Sequence, residues 1–173
     1  SPKQRSVPPG DTPAAALERA RECLAAAARS AQQCGVVYCI EPLSAAETDL
    51  LNTVAQAVEL VQAIASPAFK TMIDCSAAGQ VEAEDVPGLM RRWMPTGHIA
   101  HVQVNDPNRR GPGQGEMRFA PILAALREMR QAGHYEGIVA VEPFDYVPDG
   151  MGSAARAIGY LRGLEEAAGV GRG

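Results

Sequence analysis

The amino-acid sequence predicts an α/β fold in which strands and helices alternate along the chain. Segments with a strand pattern and segments with an amphipathic helix pattern follow each other four times, at roughly 30 to 40 residues per unit. Such alternation is typical of parallel strands joined by right-handed crossovers. Each predicted strand also carries a polar, ligand-type residue near its end: Glu41, Asp74, Gln103 and Glu142. In (β/α) architectures this edge of the sheet is where chemistry takes place.

The first half of the chain is predicted to contain two strands and two helices. After a proline-rich loop over residues 1–10, Asp11 or Thr12 can cap a helix that runs to about Gln33, and Gly35 is placed to end it. An apolar run over residues 36–41 is typical of a strand covered on both faces. Further predictions are a helix capped by Asn52 that ends before Ser66-Pro67 and a short strand over residues 70–74.

The second half repeats this order. A third helix is predicted after Glu84 and Asp85, and Pro95-Thr-Gly97 ends it. A strand over residues 99–106, a glycine-rich loop over 110–116 and a helix over about 120–132 come next. The chain closes with an apolar strand over residues 137–142 and a last helix for which Ser153 is the predicted cap.

The composition favours one domain and argues against several classes of partner. The chain has 173 residues, enough to bury a useful core. Its net charge of −4 and its scattered basic residues argue against a nucleic-acid groove. It has neither an apolar run of about 18 residues, which a membrane span needs, nor the pattern of a signal peptide. We therefore expect a soluble, cytoplasmic protein with no nucleic-acid or membrane partner.

The four cysteines lack C-x-x-C spacing and fall in apolar segments: Cys23, Cys34, Cys39 and Cys75. In such segments a reduced thiol behaves as a small hydrophobic group. We expect neither a disulfide nor a structural zinc ion.

The stretch from residue 99 to residue 109 is the strongest candidate for a site. Its strand pattern places His101, Gln103 and Asn105 on one side, with apolar residues on the other. The strand then breaks into Asn-Asp-Pro-Asn-Arg, a turn rich in ligand-type side chains. The alternative is a half-exposed antiparallel strand with its polar face in water. Four polar strand ends in register favour a site.

The four strand-end residues together suggest a divalent-metal site. Three carboxylates and one amide oxygen suit a hard cation, so Mn²⁺ or Mg²⁺ is favoured over Zn²⁺. A cation would also relieve the repulsion among the carboxylates. Bound to a sugar carbonyl, it would acidify the neighbouring C–H and stabilise an enediolate. Glu41 and Glu142, from different strands, are the natural bases for that proton transfer.

These residues resemble the sugar phosphate isomerase/epimerase family with a xylose-isomerase-like barrel, which includes ketose 3-epimerases and hydroxypyruvate isomerases. The similarity covers nearly the whole chain, through Glu41, Met-Ile-Asp74, His101-Val-Gln103, Asn108-Arg109, Gly113-x-Gly115 and Val-Glu142-Pro-Phe. It implies a (β/α)8 TIM barrel and metal ligands at Glu41, Asp74, Gln103 and Glu142. It further implies that Glu41 and Glu142 act as acid and base, and that Glu47, His101 and Arg109 lie near a small sugar or hydroxy-keto substrate.

The resemblance comes with two departures. Ketose epimerases carry the pattern Asp-x-x-His after the second of these strands, whereas this chain has Asp74-Cys-Ser-Ala77. Many members place a metal-binding histidine where this chain has Gln103, which resembles the hydroxypyruvate isomerase branch. The substrate assignment therefore stays open among isomerase, epimerase and related activities.

The family barrel has eight strands, and this chain resembles the last four, preceded by one helix. The chain also begins at Ser1 rather than at Met, so we expect a single domain over residues 1–173 that is incomplete at its N-terminus. Four strands alone would leave two open edges and an unfilled barrel interior. A partner chain, including a homo-oligomer, would be another source of the missing half.

The sequence therefore predicts a metal-dependent isomerase or epimerase of a small sugar or hydroxy-keto compound. One alternative is a keto-polyol dehydratase, which begins with the same enediolate and then expels a hydroxyl group. Another is a non-catalytic half-barrel that binds a metal or a partner. A DNA-repair endonuclease of similar shape is disfavoured, because such sites hold several zinc ions with many histidines, and here only His101 is near.

Overall fold

The computed structural model describes residues 5–169, so residues 1–4 of the predicted N-terminal loop lie outside the described part. It contains a four-stranded sheet in the order β1-β2-β3-β4, with each neighbouring pair parallel. The strands are β1 (Tyr38–Ile40), β2 (Phe69–Asp74), β3 (Ile99–Val104) and β4 (Ile138–Val141). The helices are α1 (Pro13–Cys34), α2 (Val54–Ile64), α3 (Cys75–Val81), α4 (Val86–Trp93), α5 (Phe119–Gln131) and α6 (Gly150–Ala167). The predicted α/β class and its four strand-helix units are confirmed.

Side chains at the helix ends explain where most helices begin and end. The Thr12 side chain accepts a hydrogen bond from the backbone N–H of Ala15, and Gly35, with φ 67°, ends α1 in the left-handed conformation. Asp85 caps α4 by accepting from the backbone N–H of Gly88. A 3₁₀ turn, Met94–Thr96, extends that helix as far as Gly97. These boundaries follow directly from local capping chemistry.

Two predicted N-caps are wrong: one lies one residue before the observed cap, and the other lies four residues after it. Thr53, not Asn52, caps α2 through a capping box with Gln56. Asn52 instead donates from Nδ2 to the carbonyl oxygens of Leu43 and Thr48. The last helix begins earlier than expected, because Asp149 caps it and Ser153 lies inside its first turn, fully buried.

The sheet packs against the helices through one main apolar core. Val102 and Val104, on the face opposite the polar residues of β3, are both 0% exposed, as the alternation predicts. They contact a cluster that includes Met90 of α4 and Phe119 and Ile122 of α5. A second cluster joins α1, α2 and β1. The sheet is therefore anchored through its helix-covered face, which leaves its polar residues for the other face.

The first and last strands are edge strands, and their exposure corrects one expectation. The run over residues 36–41 was predicted to be covered on both faces, yet Val36 and Val37 are 56% and 54% exposed. Ile138, which begins β4, is 71% exposed. Within residues 5–169, each of these strands is hydrogen-bonded to a single neighbouring strand. Two open edges are what four strands of a barrel leave.

The cysteines and the helices bear on two further expectations. The four cysteines are free, and Cys75 is buried. Cys23 and Cys34 are exposed on α1, so the expectation that each thiol behaves as a small hydrophobic group does not hold for these two. Within residues 5–169, no helix has both the length and the apolar character to cross a membrane.

Candidate metal centre

The register of the sheet brings the strand-end side chains to one edge. Asp74 is paired with Gln103 across β2 and β3, and Gln103 is paired with Ala140 across β3 and β4. Glu142 lies two residues beyond Ala140, and its backbone N–H donates to the carbonyl oxygen of Val104 at 3.4 Å. Glu41 follows directly after β1. Parallel strands in register therefore deliver all four predicted ligands to the same end of the sheet.

Three carboxylates meet at this edge. One oxygen each from Glu41, Asp74 and Glu142 lies within 4.8 Å of the other two. Asp74 is only 5% exposed, while Glu41 and Glu142 are half-buried. Like charges this close repel strongly where water is partly excluded. The arrangement is costly unless a proton or a cation is shared among the three groups.

The pKa values of these carboxyl groups reflect that cost. The pKa of Glu41 is raised to about 7, first by burial and then by the charges of Asp74 and Glu142, against a lowering by Arg5. Burial also raises the pKa of Asp74, although hydrogen bonds from Ala77 and Asn105 oppose the shift. The pKa of Glu142 is raised by burial and by the charge of Asp74. All three groups therefore hold protons more tightly than ordinary carboxyl groups do.

Gln103 carries an oxygen that the protein leaves without a hydrogen bond. Its side chain hydrogen-bonds to Glu142, which lowers the pKa of that carboxyl group. Its Oε1 is shielded from solvent and has no hydrogen-bond partner among the described residues. Leaving a buried acceptor unpaired costs about 1–3 kcal/mol. A hard cation needs such oxygen donors, so the residues at this edge fit a divalent ion.

Hydrogen bonds hold Asp74 in a fixed orientation. Its Oδ1 accepts from the backbone N–H of Ala77 at 2.7 Å, which caps the short helix α3. Its Oδ2 accepts from Nδ2 of Asn105 at 2.8 Å, and Asn105 Oδ1 in turn accepts from the backbone N–H of Ser76 at 3.0 Å. Helix α3 was not predicted, because its seven residues contain Gly79 and show no apolar period. The strand end and this helix form one rigid unit.

A cavity of about 270 Å³ opens beside the carboxylates. Its wall includes polar groups from Ser76 and Gln80, apolar surface from Ala77 and Phe144, and the guanidinium of Arg5. The space is large enough for several water molecules or part of a small sugar. Ala77, three residues after Asp74, lies in this wall.

Arg5 is a residue of the cavity wall that was not predicted from the sequence. Its Nη2 donates to the carbonyl oxygens of Leu50 and Leu51, at 3.5 and 3.4 Å. Burial lowers the pKa of Arg5, and the charges of Glu41 and Glu47 oppose that shift. Arg5 lies in a proline-rich stretch with no periodic pattern, so the sequence offered no signal for it. It supplies a positive charge to an otherwise acidic cavity.

The three predicted substrate residues occupy different positions. Glu47 lies in the cavity wall and is held by a hydrogen bond of 2.8 Å from the Ser44 hydroxyl. His101 is half-buried on β3, two residues before Gln103, and it does not reach the wall formed by the described residues. Arg109 is also outside that wall. Their roles toward a substrate stay predictions.

Arg109 is linked to the cavity through Phe144. Its guanidinium lies 5.1 Å from the centre of the Phe144 ring and 3.4 Å from a carboxylate oxygen of Asp145. The backbone N–H groups of Phe144 and Asp145 both donate to the Arg109 carbonyl oxygen at 2.8 Å. The loops after β3 and β4 are therefore tied together beside the cavity.

The buried Asp106 organises the glycine-rich loop. Its carboxylate accepts hydrogen bonds from the backbone N–H groups of Asn108 and Met117, at 3.2 and 2.9 Å. Gly115 passes so close that an added Cβ would lie 2.1 Å from the Asp106 carboxyl carbon. The glycine is therefore required by close approach of the loop to this carboxylate.

Comparisons with known proteins find relatives that are named as sugar epimerases and isomerases. The D-psicose 3-epimerase of Ruminiclostridium cellulolyticum is 29% identical over 136 residues, which cover 79% of this chain and 44% of that protein. A Danio rerio protein with the name "Putative hydroxypyruvate isomerase" is 32% identical over 133 residues, 74% of this chain and 44% of its own length. The chain thus spans less than half the length of these relatives.

A solved structure and a family model agree with these relatives. The structure of D-psicose 3-epimerase with D-tagatose from Clostridium cellulolyticum H10 matches with a TM-score of 0.66 and 29% identity, over 75% of this chain and 42% of that one. The family model described as xylose isomerase-like TIM barrel matches residues 4–164. This chain therefore belongs to the xylose isomerase-like TIM barrel family, and its four parallel strands correspond to part of such a barrel.

Proposed function

We propose that the chain carries the metal-binding and proton-transfer groups of a sugar isomerase or epimerase. The observation that supports this most directly is the convergence of Glu41, Asp74 and Glu142, whose oxygens lie within 4.8 Å of one another at the C-terminal edge of a parallel sheet. In barrels of this type, catalytic groups come from the ends of different strands at that edge. The relatives named for epimerase and isomerase activity support the same reaction class.

The proposed ligands are Glu41, Asp74, Gln103 and Glu142. Their donor set of three carboxylates and one amide oxygen favours Mn²⁺ or Mg²⁺ over softer metals. A divalent cation held there would polarise a sugar carbonyl and favour loss of a proton from the neighbouring carbon. The unpaired Oε1 of Gln103 supports its place in this set.

Glu41 and Glu142 are the proposed proton-transfer groups. They follow β1 and β4, the two outer strands, so they can approach a substrate from opposite sides. The pKa of about 7 holds for Glu41 in the metal-free chain, and a bound cation would lower it toward the ionised form that can accept a proton. One glutamate removing the proton and the other returning it on the opposite face would epimerise the carbon.

The remaining expectations are part of the same proposal. The substrate is a small sugar or hydroxy-keto compound, and Glu47, His101 and Arg109 are the proposed contacts.

The open edges of β1 and β4 favour a single barrel domain completed by further strands, from the same protein or from another copy. A cytoplasmic location suits the exposed thiols of Cys23 and Cys34.

Hydrogen exchange tests the reaction class. The metal-stripped protein would be supplied with Mn²⁺ and incubated in D₂O with a panel of ketoses, and we expect deuterium at the carbon next to the carbonyl of at least one sugar. Glu142→Gln should lower the exchange rate far more than it raises KM, because it removes a proton-transfer group. The matched control is Glu128→Gln, which removes an exposed carboxylate paired with Arg91.

Product analysis separates the alternatives. A product lighter by one water would identify a dehydratase in place of an isomerase or epimerase. No deuterium in any sugar, with Mn²⁺ bound, would contradict proton transfer and favour a half-barrel that only binds the metal.

A further inference from the structure

Asn105 is a buried amide that the proposed reaction does not use directly. It follows the last residue of β3, and its side chain is 1% exposed. Both ends of the amide are engaged: Nδ2 donates to Asp74 Oδ2 at 2.8 Å, and Oδ1 accepts from the backbone N–H of Ser76 at 3.0 Å. A backbone N–H can only donate, so the Ser76 contact fixes which end of the amide faces Asp74.

We infer that Asn105 is a positioning residue for Asp74, which it holds in the orientation that a divalent cation requires. The inference rests on the proposed function, since it takes Asp74 as a ligand. Each carboxylate oxygen can accept about two hydrogen bonds or ligand contacts. The bonds from Asn105 and Ala77 occupy one position on each oxygen, so both oxygens keep a lone pair for a cation.

The chemistry of the amide suits this task. Asn105 donates as a neutral group, so it orients the carboxylate without cancelling the charge that attracts the cation, as Lys or Arg would. Without Asn105, Asp74 would keep its contacts with the backbone N–H groups of Ala77 and Ser76 but lose the donor on Oδ2, so the carboxylate could rotate more freely about its last torsion.

The sequence context makes Asn105 the third residue on the polar side of β3, after His101 and Gln103. The strand that supplies the Gln103 ligand therefore also supplies the group that orients the ligand on the neighbouring strand. Partners that orient metal ligands in this way commonly contribute 10- to 100-fold in affinity. We expect a loss of about tenfold when Asn105 is replaced.

The test is Mn²⁺ titration calorimetry on the metal-stripped full chain, with urea unfolding of each metal-free variant measured in parallel. Asn105→Leu keeps the branched shape and the number of side-chain heavy atoms but loses both hydrogen bonds. Asn105→Ser is a smaller polar side chain for the case that the larger leucine prevents folding. Both should bind Mn²⁺ about tenfold more weakly. The matched control is Asn52→Ala, which loses two amide hydrogen bonds to the backbone carbonyl oxygens of Leu43 and Thr48 and none to a carboxylate.

The control separates positioning from stability. Asn52→Ala should lower the midpoint of unfolding and keep the Mn²⁺ affinity within twofold of the wild type. The inference would be overturned if the folded Asn105 variants bound Mn²⁺ within twofold of the wild type. It would also be overturned if Asn52→Ala lost as much Mn²⁺ affinity as they do. Either result would leave the proposed function standing. A wild-type chain that binds no Mn²⁺ at all would overturn the metal site together with this inference.

Discussion

Replacing Glu41 by glutamine should make the metal-free chain more stable at pH 8. The pKa of Glu41 is raised from 4.5 to about 7, mainly because burial disfavours its charged form. Each pKa unit corresponds to about 1.4 kcal/mol, which gives about 3 kcal/mol for the cost of ionising this group in the fold. Glu41 is half-buried, so solvent screening reduces the expected gain from Glu41→Gln to about 2 kcal/mol.

The sign of the pH dependence follows from linkage. Below about pH 4.5 the group is protonated in both the folded and the unfolded chain, so it costs nothing. As the pH rises toward 7, the unfolded chain releases the proton while the folded chain retains it, and the free energy of unfolding falls. The gain from Glu41→Gln should therefore be complete at pH 8 and nearly absent at pH 4.5.

Urea unfolding followed by circular dichroism, with a chelator present, measures this difference. Glu128→Gln serves as the control, because it removes an exposed carboxylate and should change stability by less than about 0.5 kcal/mol. Mn²⁺ at a hundred times its Kd should stabilise the wild type by about 2.7 kcal/mol and cancel the advantage of the variant. A variant no more stable than the wild type at pH 8, or equally favoured at pH 4.5, would refute the reasoning.

Two further predictions concern the metal and the glycine-rich loop. Gln103→His should raise the affinity for Co²⁺ and Zn²⁺ relative to Mn²⁺, because imidazole is the softer donor; unchanged ratios of these affinities in metal titrations would remove Gln103 from the ligand set. Gly115→Ala should destabilise the chain by about 2–3 kcal/mol in urea unfolding, because the added Cβ displaces the Asp106 carboxylate from its backbone donors. Gly163→Ala is its control, since nothing lies within 4 Å of an added Cβ there, and equal stability of the two variants would contradict the role given to Asp106.

The periodic parts of the fold were predictable from the sequence, and the exceptions have local causes. Apolar alternation and capping residues predicted α1 through Thr12 and Gly35, and α4 through Asp85. Where two candidate caps stand side by side, as at Asn52 and Thr53, the pattern cannot decide, because the outcome depends on which side chain has a distant partner. The start of α6 was predicted too late because Gly150 and Gly152 disfavour helix locally.

In the candidate site, too, the residues with a sequence pattern were predictable and those placed by tertiary contacts were not. Strand register predicted that Glu41, Asp74 and Glu142 would converge, since parallel strands end at one edge. Asn105 had a signal, because alternation places it beside Gln103. Arg5 had none, since its position depends on how the N-terminal loop folds back on Leu50 and Leu51. Contacts of that kind come from tertiary packing and leave no period in the sequence.

The two open edges of the sheet differ, because one is formed by β1 and the other by β4. A strand that pairs with the free side of β1 meets a register set by Tyr38–Ile40, whereas one that pairs with β4 meets Ile138–Val141. Two copies that join through these unlike edges form a head-to-tail contact, which continues indefinitely unless the curvature of the sheet closes it into a ring. Strand tilt and stagger therefore decide between a closed cylinder and an open fibre. Ile138, at the edge of β4, is 71% exposed. The tendency of the chain to aggregate at high concentration therefore depends on whether another strand covers this edge.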